Sequence, residues 1–343
     1  MRKIAFLTIL TALIMTSCCN QSQKEKAAIA KLDTMFQELY PADEPGAAVL
    51  ILKGDEIVYD KGFGIADLET GAKIDGNTFF NIASVSKQFT AVAMLQLAEQ
   101  GKISLQDPVK KYFPEFQADF FNDITIAHLL SHTSGIGDYR PREDRDFVLY
   151  ATDEQCYKYM ETLDKLHFTP GTEYQYMNPT FQLCYIIIQR VTGQSFEQYM
   201  KENIFTPAGM DQTVYFSPDK NIPNMSHAYI PVEEKESASN TDSDRTPEAQ
   251  AAAKKQQESA PVIGNWKEYD YGQETFFATK ADGGIYTSTH QFVQWEKALR
   301  NAVVASAESI KNAHTPKIQV SGSKFSSYQN RPHTHYGYGW FIE

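Results

Sequence analysis

Ser84 and Lys87 stand three residues apart at the entry to the apolar run 79–95, FFNIASVSKQFTAVAML. A serine hydroxyl beside an amine is raw material for acyl transfer: the amine takes the proton and the oxygen attacks a carbonyl. The spacing alone is not specific, because S-x-x-K recurs at Ser217 with Lys220 and at Ser321 with Lys324. Ser217 is followed by Pro218 and borders a polar insertion, while Ser321 sits in the Gly/Ser loop VSGSKFSS with no helix after it. Ser84 opens a predicted helix, on which residues i and i+3 share a face with Cβ atoms about 5–6 Å apart. The free N–H groups and partial positive charge of a helix N-terminus favour an oxyanion there and lower the pKa of a buried lysine. The competing reading makes Ser84 a helix cap and Lys87 a solvated first-turn residue. The helix dipole disfavours lysine in a first turn, and the apolar flanks FFNIA and FTAVAML point to a buried amine. These residues by themselves leave both readings open.

Periodicity supplies the elements that must hold the pair. Residues 27–40, AAIAKLDTMFQELY, have helical apolar spacing and are ended by Pro41 and Pro45. GAAVLILKGDEIVYDKGFGIADLETG reads as a hairpin, with a strand over 49–52, a turn over 53–55 and a return strand over 57–64. The helix begun at Ser84 runs to about 100 and is closed by Gly101. From 102 to about 215 the strand signals fade. There ITIAHLLSHTSGI, DEQCYKYMETL, TFQLCYIIIQRVTG and SFEQYMKENIF read as helices joined by Gly/Pro turns, an all-helical subdomain. Residues 231–260 are a polar, low-complexity surface insertion. FFATKADGGIYTSTHQFVQWEKAL then gives a strand or turn and a helix over about 290–299, and THYGYGWFIE is strand-like. This order predicts an α+β domain with a helical partner and a cleft between them, a common seat for small ligands.

A net charge of −11 argues against nucleic-acid binding, which wants a basic face. With 42% hydrophobic and 22% charged residues, the chain can build a packed core. At the start, MRKIAFLTILTALIMTSCCN places two basic residues before an apolar stretch over 4–15, too short to span a bilayer. It reads as a signal peptide over 1–18. Met15-Thr16-Ser17-Cys18 resembles a loose bacterial lipobox, with Cys18 as the lipidated residue, Cys19 as the other position, and a plain signal peptide as the alternative. Residues 19–27 then form a polar tether. The expectation is a bacterial envelope lipoprotein, held to the membrane by its N-terminal lipid and facing the periplasm or the cell surface. Cys156 and Cys184 could pair in an oxidising compartment. The plainer expectation is two unpaired thiols, with Cys184 buried in FQLCYIII, and no cysteines stand at zinc-finger spacing.

From about Gly46 to Trp340 the ordered segments resemble the serine β-lactamase and penicillin-binding-protein superfamily, in its class C-like branch, which also contains esterases and D-amino-acid peptidases. FNIASVSKQFTA resembles the nucleophile helix, and ITIAHLLSHTSGI a helix-to-loop segment. PGTEYQYMNPTFQLCYIIIQRVTGQSFEQYMKENIFTPAGM resembles the stretch bearing a second motif, Y-x-N, and ADGGIYTSTHQFVQWEKAL a later glycine turn and helix. Y-x-N occurs at Tyr176-Met177-Asn178 and at Tyr328-Gln329-Asn330, and only the first lies in the matching segment.

The resemblance implies an antiparallel sheet flanked by helices plus an all-helical subdomain, within a domain over 28–343. It implies Ser84 as nucleophile, Lys87 and Tyr176 sharing the proton transfers, and Asn178 holding the substrate amide or Lys87. The Ser84 backbone N–H is then half of an oxyanion hole. Tyrosine, with a reference pKa of about 10, needs a nearby cation to act as phenolate, and Lys87 is the candidate. His128 and His132 become structural residues. No metal or organic cofactor is implied, and the partner is a small-molecule or peptidoglycan-derived substrate: a β-lactam, a D-Ala peptide or a small ester. The third motif, K-[ST]-G or H-x-G, belongs on a strand after a segment like YGYGWFIE, where this chain stops. His335-Tyr336-Gly337 matches H-x-G literally, but overlaps the preceding segment and reads as coincidence. The expectation is a chain truncated before that motif. The alternative to an active hydrolase is an impaired relative that binds peptidoglycan or a partner protein.

Overall fold

Apolar, β-branched residues on either side of a glycine turn make AAVLILK (β1, Ala47–Lys53) and EIVYDKGF (β2, Glu56–Phe63) an antiparallel hairpin. The computed structural model describes residues 23–137, 151–216, 222–232, 262–268 and 279–343. Cys18, the Ser217 and Lys220 pair and nearly all of the 231–260 insertion lie outside the described residues. The chain divides into two units, Met1–Gly76 and Asn77–Glu343.

In the first unit a helix over 23–39 (α1) precedes the hairpin. It starts earlier than the apolar periodicity, because its first residues are exposed and carry no apolar signal. Asp33 on this helix accepts from the Tyr59 hydroxyl and the Lys61 ammonium, each at 2.7 Å, which ties α1 to β2. Two short strands follow, β3 (Ile65–Asp67) and β4 (Ala72–Lys73), paired antiparallel.

The second unit holds a three-stranded antiparallel sheet in the order β5-β10-β6, from Phe80–Asn81, Ile285–Thr287 and Val214–Tyr215. Its helices confirm the α+β class. After a 3-10 turn, Ala83–Ser86, comes α2 (Lys87–Glu99). Next are α3 (Val109–Tyr112), α4 (Ile126–Leu130), α5 (Asp153–Met160), α6 (Asn178–Thr192) and α7 (Phe196–Met200). Strands β7 (Tyr229–Pro231), β8 (Val262–Ile263) and β9 (Trp266–Glu268) form a separate small sheet. Beyond β10 come α8 (Thr289–Arg300), α9 (Ala307–Ala313) and a three-stranded sheet of β11 (Ile318–Gln319), β12 (His335–Tyr336) and β13 (Phe341–Ile342).

The helix expected from Ser84 therefore begins α-helical geometry only at Lys87. Ala83 sits at φ 44, a left-handed conformation that a side chain disfavours, and the chain must leave it through a tighter turn. Helix α2 is largely enclosed, with Phe89, Ala91, Val92, Ala93, Met94 and Leu97 all buried and only Glu99, in its last turn, exposed. Phe89 stacks on Trp295 of α8 at 4.1 Å between ring centroids, and the Trp295 indole N–H donates to Gln88 at 2.7 Å. Helix α6 opens with Pro179 in its first turn and closes at Gly193, φ 72, the arrangement that proline's fixed φ and glycine's free φ favour. Cys156 on α5 and Cys184 on α6 are both buried, and no disulfide joins them.

Gly339 shows how closely the segment before β13 approaches the start of α2. It has φ 87, and a Cβ there would meet the Ala91 Cβ at 2.9 Å and the Lys87 carbonyl oxygen at 3.2 Å. Gly339→Ala is expected to lower stability by about 2–4 kcal/mol, from left-handed strain plus overpacking. A fall in the urea midpoint with an unchanged m-value is the check.

Candidate active site

Three segments far apart in sequence meet at Lys87. The first is the turn after β5. The Asn81 side-chain oxygen accepts the Ala83 N–H at 2.7 Å, which holds Ala83 in its strained conformation and presents Ser84 at the surface. Behind the turn, the buried Ser86 hydroxyl accepts the N–H of Ile285 at 3.3 Å, fixing it to β10. Ser84 is exposed and Lys87 is 0% exposed, so an accessible hydroxyl stands on an enclosed amine.

Lys87 Nζ lies 3.1 Å from Ser84 Oγ, 2.9 Å from Asn178 Oδ1 and 2.7 Å from the backbone carbonyl of Asp282. Two of these partners, the amide oxygen and the carbonyl, can only accept. The hydroxyl can accept or donate. An ammonium satisfies all three as donor. A neutral amine keeps donating to Asn178 and Asp282 while its lone pair receives the Ser84 proton. The site can thus pass a proton between Oγ and Nζ without leaving a buried polar group unpaired, the condition that makes such a transfer cheap in a dry site.

The second segment is Tyr176-Met177-Asn178, which leads into α6 and places Asn178 at its first position. The Tyr176 ring lies under the amine, with Nζ 5.0 Å from its centroid, and Phe181 adds a second face at 5.6 Å. Burial pushes the Tyr176 hydroxyl above its ordinary range. A hydrogen bond with Ser84 pulls it back, and the charge of Asp282 and the neighbouring Tyr328 push it up again. Burial wins, so Tyr176 is a phenol at neutral pH. The Lys87 amine is the nearby cationic group the sequence reading asked for, and it stands 5.0 Å from the centroid of the Tyr176 ring.

His132 supports this segment from below. Its backbone is left-handed at φ 57, its carbonyl accepts the Gln175 N–H at 3.0 Å, and its Nδ1 accepts the Met177 N–H at 3.2 Å. The imidazole packs 4.3 Å from the Tyr176 ring. Burial, then the charge of Lys87, hold it well below the usual histidine range, so it is neutral. His128 sits elsewhere, with its ring nitrogen accepting the Thr125 N–H at 3.2 Å in the capping box of α4.

The third segment is the turn Ala281-Asp282-Gly283 ahead of β10, which contributes the Asp282 carbonyl. Its role was not visible in the sequence, since a backbone oxygen leaves no mark in residue type. The other described matches to the two motifs build nothing similar. Ser321 accepts from Gln319, and Lys324 lies over the Phe325 ring at 5.0 Å. Tyr328 packs on Phe341 at 5.0 Å. His335 lies on β12 and contacts the carbonyl of His333. Among the described residues, no group of three or more His, Cys, Asp or Glu side chains is set to hold a metal ion.

Comparison with known proteins was made on this basis. The Beta-lactamase family model matches residues 32–343. Protein flp of Staphylococcus aureus (strain MW2) is 33% identical over 202 residues, which is 57% of this chain and 39% of that protein. Penicillin-binding protein 4* of Bacillus subtilis (strain 168) is 31% identical over 214 residues, 58% of this chain and 45% of that protein. The matched part spans less than half the length of these curated relatives. Among solved structures, the octameric penicillin-binding protein homologue from Pyrococcus abyssi superposes with a TM-score of 0.69 at 25% identity, covering 94% of this chain and 65% of that one. With the family match running across the turn of Ser84, the helix of Lys87 and the strand that follows Asp282, the chain belongs to the β-lactamase family, whose fold is that of penicillin-binding proteins and related serine hydrolases.

Proposed function

We propose that the chain hydrolyses amide or ester bonds through an acyl-enzyme on Ser84, with β-lactams, D-Ala peptides and small esters as the substrate classes. The observation that carries this reading is the position of Lys87 Nζ, within hydrogen-bond reach of both Ser84 Oγ and Asn178 Oδ1 across 91 residues of sequence. In the first step Ser84 Oγ bonds to the carbonyl carbon and its proton passes to Lys87 Nζ. The Tyr176 hydroxyl, hydrogen-bonded to Ser84 and protonated at neutral pH, gives its proton to the leaving nitrogen or oxygen as that bond breaks. Tyr176 is then restored from Lys87. In the second step water attacks the ester, its proton follows the reverse path, and Ser84 is released. Asn178 holds the amine in place and can turn its amide N–H groups to the substrate. The Ser84 backbone N–H serves as one oxyanion donor.

The site belongs in the cell envelope on this reading, with a signal over 1–18, lipidation at Cys18 and a tether over 19–27 ahead of the 28–343 domain. Turnover of nitrocefin, a D-Ala-D-Ala peptide and p-nitrophenyl butyrate tests the function. Hydrolysis of at least one is expected, and Ser84→Ala is expected to abolish it. Turnover that persists in Ser84→Ala sinks the proposal.

A further inference from the structure

The turn that lends its carbonyl to Lys87 is also gripped from its far side by a buried acid. Asp153, the first residue of α5, is 1% exposed. Its Oδ2 accepts the N–H of Lys280 at 2.7 Å, and its Oδ1 lies 3.4 Å from the N–H of Ala281. On the α2 side, the buried Thr90 hydroxyl donates to the Ala281 carbonyl at 2.8 Å, and Lys87 donates to the Asp282 carbonyl at 2.7 Å. Three consecutive residues of the turn are therefore pinned between two helices. Asp282 itself is 3% exposed, and its Oδ1 is buried with no hydrogen-bond partner among the described residues.

The charged and titratable groups around Asp153 do not neutralise it. Asp282 faces it from the turn and Glu154 from its own helix. Tyr185 on α6 and Tyr215 on β6 lie within its field. The Lys280 ammonium is taken by Glu197 of α7. Burial, and then the Asp282 charge, push the Asp153 carboxyl well above the usual carboxylate range. Two carboxylates enclosed together do not both ionise. A protonated carboxyl keeps one accepting oxygen and gains one O–H donor. The Oδ2 contact to Lys280 is the shorter one, which leaves Oδ1, 3.4 Å from the Ala281 N–H, as the oxygen to carry a proton.

We propose that Asp153 is a positioning residue for acylation: its buried carboxyl, accepting the Lys280 and Ala281 N–H groups, clamps the 280–282 turn so that the Asp282 carbonyl keeps Lys87 Nζ on the Ser84 hydroxyl. This rests on the hydrolase reading above. Asp153→Asn mimics the neutral acid, with an oxygen for the Lys280 N–H and an N–H donor in place of the acid O–H. Asp153→Ala removes both.

The sign of the pH effect follows from the raised pKa. The neutral acid favours the fold at low pH, and that contribution is lost as pH rises through the folded-state pKa. The experiment measures labelling rates with a fluorescent penicillin and a fluorophosphonate, and melting temperatures, from just above the carboxylate reference value of about 4 up into the alkaline range. Asp153→Ala is expected to label about 10- to 100-fold more slowly, the scale of a misplaced catalytic group, and Asp153→Asn to recover most of the rate. The wild-type melting temperature is expected to fall with pH more steeply than that of Asp153→Asn or Asp282→Asn. If Asp153→Ala does not fold, those two variants decide the matter. The proposal is overturned by Asp153→Ala labelling at the wild-type rate, by Asp153→Asn labelling as slowly as Asp153→Ala, or by identical melting slopes in wild type and both Asn variants. Wild type that takes neither probe defeats the hydrolase reading and the positioning role with it. Wild type that labels while Asp153→Ala is unaffected defeats only the positioning role.

Discussion

Lys87→Met is expected to leave a folded protein whose Ser84 is acylated about 10²–10⁴-fold more slowly, the usual contribution of a positioned proton acceptor. Methionine fills much of the volume of the lysine stem and is tolerated in a site that is already 0% exposed. The substitution leaves Asn178 Oδ1 and the Asp282 carbonyl without the amine, at a cost of about 1–3 kcal/mol for the buried Asp282 carbonyl and less for the half-buried Asn178. It also removes a desolvated amine, which offsets part of that cost. The enclosed face of α2, with Phe89 stacked on Trp295, is untouched. Labelling kinetics and a melting curve on the same sample check both halves. Acylation at the wild-type rate by Lys87→Met removes the amine from the mechanism.

Tyr176→Phe is expected to lower turnover by about 10²–10³-fold with little loss of stability. The ring contacts to His132 and the position under Lys87 Nζ survive, and only the hydroxyl is lost. The pH dependence separates a proton donor from a phenolate base. Since burial holds the Tyr176 hydroxyl above its ordinary value, it remains protonated through neutral pH. The deficit of Tyr176→Phe is therefore the same at every pH from about 6 to 9, well below tyrosine's reference value of about 10. A wild-type pH–rate limb in that window that vanishes in Tyr176→Phe contradicts the donor role.

The pieces legible in the sequence were those written in side-chain type or in local period. Ser84 and Lys87 stood out because only one S-x-x-K opened an apolar helix, with a capping role left open, and the resemblance to the β-lactamase superfamily then singled out Tyr176 and Asn178. The hairpin and helices α2, α6 and α8 followed from apolar spacing and glycine stops. What escaped was carried by backbone or by long-range contact. The Asp282 carbonyl has no residue signature, and any residue offers one. The left-handed backbone of Ala83 and His132 is not read from alanine or histidine, which rarely adopt it. His132 was read as structural, yet its acceptance of the Met177 N–H depends on a contact 45 residues away. Asp153 occupies the first turn of its helix, where the dipole favours any acid, so residue type does not mark it out. Only the folded chain shows that it grips a turn 127 residues further on.

Intact-mass spectrometry with peptide mapping, after exposure to the fluorescent penicillin and the fluorophosphonate, tests the central claim most directly. The account predicts a single adduct from at least one probe, mapped to Ser84 and absent from Ser84→Ala. Wild type that remains unmodified by both probes, or an adduct that survives Ser84→Ala, contradicts it.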